Sequence, residues 1–96
     1  DLDTATQELI DSLTRGNPRM STPGRFRRVS IGRRPGLNAT MQNVSEVSDQ
    51  SETVDVLTTQ LDGGGLFYAI AVVPSGQYEE YAPTFRRVFD SVQFLR

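Results

Sequence analysis

Apolar positions along this chain recur at a helical spacing, then at a spacing of two, then at a helical spacing again. Leu2, Ala5, Leu9, Ile10 and Leu13 fall on one stripe of a helix over residues 4–14. Thr4 and Gln7 have the spacing of a capping box, and Asp3 and Glu8 suit the positive end of a helix. Gly16-Asn-Pro18 stops it, and Met20 to Gly24 reads as a loop. Residues 25–31 are a first strand, Gly32 to Gly36 a turn, and residues 37–45 a second strand that buries Leu37, Ala39 and Met41. The apolar phase slips at Val44 and Val47, which implies a bulge or the end of the strand. After the polar turn 48–52, residues 53–61 form a third strand. It has Val54 and Val56 on one face and Leu57 and Leu61 on the other.

The run Leu66 to Val73 is apolar at both parities. Such a strand is expected in the interior of a layered domain, covered on both faces. Asp62-Gly-Gly-Gly65 closes a hairpin onto it. Residues 80–91 form the last helix, with Tyr81, Phe85, Val88, Phe89 and Val92 on one stripe. Proline suits only a first turn, so Pro83 places the regular start near Ala82. Val92-Gln-Phe94 alternates as a short fifth strand would. The expected fold class is α+β: an antiparallel four-stranded meander covered by an N-terminal and a C-terminal helix. Its 96 residues suffice for one domain. No apolar run reaches the length of a membrane span. The opening Asp-Leu-Asp, without a Met or a signal-type apolar region, reads as the start of a fragment cut from a longer protein.

Charge changes this picture more than composition does. The net charge is −2, yet residues 1–14 carry four acids and no base, residues 15–36 seven arginines and no acid, and residues 37–62 five acids and no base. A one-signed block can steer an oppositely charged partner, or it can fold against the acids beside it. Arg25, Arg27, Arg28, Arg33 and Arg34 are the candidate contacts for an anionic partner. Nucleic acid is disfavoured, because Phe26 alone interleaves the arginines where single-strand binders present several aromatics.

The chain has no His and no Cys, which removes imidazole-based and thiol-based catalysis and the usual zinc ligands. Glu79 and Glu80 are adjacent and diverge on a helix, so they form no carboxylate dyad. Asp49, Glu52 and Asp55 lack the glycine of a calcium loop. Asn38-Ala-Thr40 and Asn43-Val-Ser45 match the glycosylation pattern but fall inside a strand. No catalytic residue, metal ligand or cofactor site is expected in this chain.

Three stretches carry a family resemblance: Ile31-Gly-Arg-Arg-Pro-Gly-Leu37, Leu66-Phe-Tyr-Ala-Ile-Ala-Val-Val-Pro74 and Phe85-Arg-Arg-Val-Phe-Asp-Ser-Val-Gln-Phe94. Over residues 25–94 the chain resembles domains of the PsbP-like fold, in which an antiparallel sheet carries helices on its faces. More narrowly, it resembles the C-terminal domain of some bacterial Ste24-like zinc-dependent peptidases, where a catalytic module bearing His-Glu-x-x-His precedes it. This chain has no such motif. The resemblance therefore implies a non-catalytic accessory domain that binds, docks or positions the catalytic module of its parent; a monomer is expected. It also implies a secreted or envelope-associated address. The alternative reading is an independent binding module for an anionic partner through residues 15–36.

Overall fold

The computed structural model describes residues 1–90. The element order is α1 (Leu2–Gly16), β1 (Arg27–Ile31), β2 (Arg34–Val44), β3 (Ser51–Gln60), β4 (Leu66–Pro74), a 3-10 turn (Ser75–Gln77) and α2 (Tyr78–Asp90). The four strands form one open sheet in the order β1-β2-β3-β4, every neighbouring pair antiparallel. The α+β meander with a helix at each end is thus the observed architecture.

Helix α1 begins earlier than the Thr4–Gln7 spacing implies. Asp1 is the N-cap, its Oδ1 accepting the Thr4 N–H at 2.8 Å. A charged cap at the positive helix end satisfies an otherwise orphaned donor, so the helix starts at Leu2. At the other end the Asn17 amide donates to the Leu13 carbonyl at 2.9 Å. The α1 stripe lies on one sheet face, where Ile10 packs with Ala39, Met41, Val54 and Val56, flanked by Leu9, Leu13, Met20 and Phe26.

The β1–β2 connection is shorter than the expected turn. Gly32 and Arg33 alone make it, with φ of 53° and 70°. Two successive positive φ values mark the hairpin turn whose twist matches the flanking strands. Pro35 and Gly36 consequently join β2. Pro35 pairs with Ser30, and the β2–β3 ladder starts only at Gly36, so the missing proline N–H costs β3 nothing. The phase slip at Val44 and Val47 is the end of β2: Ser45 Oγ accepts from the N–H of Val47 and Ser48, and Val47 is 98% exposed.

The largest departure from expectation concerns the apolar run. Strand β4 lies at the sheet edge, with no strand on its outer side among the described residues. Its register, Ile70 opposite Val56 and Val72 opposite Val54, puts Tyr68, Ile70 and Val72 on the α1 face. Helix α1 packs on β2 and β3, so those three stay 53%, 40% and 53% exposed. The strand buried on both faces is β3, from Thr53 to Thr59, despite its threonines and aspartate.

Helix α2 approaches the opposite face and touches β1 and β4. It begins at Tyr78, which puts Pro83 beyond the first turn and leaves the Glu79 carbonyl without its helical donor. The expected stripe residues Phe85, Val88, Phe89 and Val92, and the short strand at 92–94, lie outside the described residues or side chains.

Gly36 is the tightest backbone approach among the described glycines. A Cβ there would stand 2.6 Å from the Thr58 carbonyl oxygen and 2.9 Å from Ile31 Cδ1. Gly36→Ala should destabilise the fold by about 1–3 kcal/mol through overpacking. Urea denaturation checks it against Gly24→Ala, where nothing lies within 4 Å and a change of no more than about 0.5 kcal/mol is expected.

Candidate functional site

On the sheet face turned to α2, the side chains of β2 and β3 are largely polar. Asp55 is 6% exposed and accepts three side-chain hydrogen bonds. Asn38 Nδ2 donates to Oδ1 at 3.1 Å, Thr40 Oγ1 to Oδ1 at 2.6 Å, and Tyr78 Oη to Oδ2 at 2.6 Å. Arg27 fixes the Asn38 amide by donating to its Oδ1 at 3.1 Å, and Asn38 Nδ2 also reaches the Val56 carbonyl at 3.3 Å. The strands supply this cluster by register: Arg27 is opposite Asn38, and Thr40 opposite Asp55. Farther along the same face, Ser75 and Thr53 both donate to Gln42 Oε1, at 2.9 and 3.3 Å, which ties the 3-10 turn to the sheet.

The Asp55 cluster is saturated. No buried side-chain nitrogen or oxygen among the described residues lacks a partner. Burial and the hydrogen bond to the Asp55 carboxylate push the Tyr78 phenol up from 10.0 to about 12. A proton held that tightly suits the neutral donor and not a general acid or base near neutral pH. The chemistry available here is attachment of α2 to the sheet.

The candidate arginines are distributed over the molecule. Arg27 belongs to the α2 face. Arg28, opposite Leu37, belongs to the α1 face, and Arg25 joins it beside the first half of α1. Arg33 sits at the tip of the β1–β2 turn. Arg34 reaches across to Asp62 with two bonds of 3.2 Å, and Arg19 meets Asp49 at 3.0 Å. The acidic segments therefore neutralise part of the block, through ion pairs that contribute little stability where exposed. Of the five, the fold brings together Arg25 and Arg28.

Asp49, Glu52 and Asp55 do not converge. Asp49 is in an exposed turn, Glu52 accepts from Asn43 at 3.2 Å, and Asp55 is within the cluster above. Among the described residues no group of three acids could hold a metal ion, and no helix is long and apolar enough to cross a membrane. The Asn38 amide is occupied inside the cluster, and the Asn43 side chain is half-buried in β2.

Sequence reasoning missed Tyr78 and the partnership of Asn38, Thr40 and Asp55. The local sign was Thr53 and Asp55 alternating with Val54 and Val56, which announces one polar and one apolar face. No family model, curated protein or solved structure matches this chain.

Tyr78→Phe should cost about 1.5–3 kcal/mol, the usual worth of a hydrogen bond to a charged group. The folded phenol titrates above its unfolded value, so its stabilisation is intact below pH 10.0 and is lost as pH rises towards 12. Denaturation measured across that window should show a decline that Tyr78→Phe removes. Asp55→Ala removes the acceptor shared by Asn38, Thr40 and Tyr78, and its loss should exceed that of Tyr78→Phe in the same assay.

Proposed function

We propose that this chain is a non-catalytic accessory domain of a longer bacterial protein, the C-terminal domain of a zinc-dependent peptidase. On this reading it docks on the catalytic module of its parent through β4. The observation that carries the reading is the outer strand β4, which has no strand on its far side among the described residues. Leu66–Pro74 contains no charged residue, and Tyr68, Ile70 and Val72 stand exposed in a row beside α1. Edge strands ordinarily carry charges, a bulge or a covering element, and contiguous apolar surface marks an interaction site. An uncharged strip suits an uncharged partner surface, because a charge buried against it would lose its water with nothing in return. A shallow depression of about 510 Å³ beside Ile70, Val72 and Tyr81 offers that partner relief. Peptide hydrolysis would belong to the catalytic module and its zinc, since this chain contains no imidazole. A secreted or envelope-associated address accompanies the reading.

The coding sequence upstream of Asp1 should specify His-Glu-x-x-His. The catalytic module and this domain, produced separately, should associate. Ile70→Glu combined with Val72→Glu should weaken that association by about tenfold or more. The melting temperature of the domain should stay unchanged, because both side chains are exposed. Absence of the motif, no association, or equal affinity in the double variant would overturn the proposal.

A further inference from the structure

At the opposite edge of the sheet from β4, a cleft of about 400 Å³ opens between the first half of α1 and β1. Phe26 and Leu37 provide its apolar lining. Arg25 and Arg28 stand on one side, both exposed, and neither guanidinium makes an ion pair or hydrogen bond among the described residues. Asp3, Thr4 and Gln7 of α1 stand on the other side. Asp1 already takes the Thr4 N–H at 2.8 Å, so Thr4 has its hydroxyl to offer. Gln7 Nε2 is committed to Asp11 at 2.9 Å, which leaves Gln7 Oε1 as an acceptor. Two guanidinium groups against one carboxylate give the cleft one net positive charge.

We propose that this cleft binds the C-terminal carboxylate of an extended peptide whose last side chain is aliphatic or aromatic. The carboxylate accepts charge-assisted hydrogen bonds from Arg25 and Arg28. The last side chain covers the half-buried Phe26, and Gln7 Oε1 accepts an N–H of the peptide backbone. A single negative charge matches the cleft. A polyanion does not, because Arg27 is on the other sheet face, Arg34 is held by Asp62 and Arg19 by Asp49, so the described residues form no continuous cationic track. The proposal is independent of docking through β4.

The test uses acetyl-Ala-Ala-Ala-Phe as the free acid and as the C-terminal amide, titrated into isotope-labelled protein and followed by amide chemical shifts. The free acid should perturb Thr4, Gln7, Phe26 and Arg28 saturably. The amide should bind about tenfold more weakly or worse, a loss of 1.4 kcal/mol or more. Arg25→Ala with Arg28→Ala should reproduce that loss with an unchanged circular dichroism spectrum. Arg25→Gln, in the loop before β1, provides a second variant should the pair disturb folding. Equal affinity for acid and amide, no saturable binding of the acid, or tighter binding of inorganic phosphate or an oligonucleotide would overturn the proposal.

Discussion

The carboxylate of Asp55 sits on the strand most deeply enclosed by the fold, and it must be satisfied there. A buried carboxylate is costly unless hydrogen bonds replace its water. Asn38 and Thr40 on β2 and Tyr78 on α2 meet that demand, and Arg27 on β1 orients Asn38 in turn. One side chain thereby ties three strands and a helix into a single arrangement. On the other face of β3, Thr58 Oγ1 and Thr6 Oγ1 lie 2.7 Å apart in a buried hydrogen bond that sets the position of α1. Apolar contact drives α1 onto the sheet but has no direction. The hydrogen bonds from β3 determine where each one stops.

This placement makes the two sheet edges chemically different. Strand β1 carries Arg27 and Arg28, with Arg25 just before it, and charge protects an edge against unwanted strand pairing. Strand β4 carries no charged residue, and α1 packs chiefly on β2 and β3. The uncharged edge supports the docking proposal, whereas the charged edge holds the cleft. The two surfaces are separated by the width of the sheet, so a partner on one leaves the other open.

The arginine block shows how strand geometry divides a charge run. Consecutive strand residues point to opposite faces, so Arg27 and Arg28 cannot share a surface. The positive φ of Gly32 and Arg33 turns the chain back, which sends Arg34 towards Asp62. What reads as one cationic segment contains an occupied network member, two ion-paired arginines, a turn tip and one pair of arginines beside α1.

Local patterning by itself determined the element order, the α1 stripe, the hairpins and the antiparallel meander, because spacing and turn chemistry act within a few residues. It also put Val54 and Val56 on one face of the third strand and Leu57 on the other. It did not determine which strand lies inside. Leu66 to Val73 reads as interior because both its parities are apolar, yet burial depends on what packs alongside, and α1 covers β2 and β3. The threonines of β3 are buried because Thr6, Gln42, Ser75 and the Pro35 carbonyl supply partners from elsewhere in the chain. The same holds for both candidate surfaces: the residues were visible in the sequence, but their grouping was not. Tyr78 joins Asp55 across 23 positions through a hydrogen bond that exists only once register and packing are set, and the same register brings Arg28 and Asp3 to one cleft.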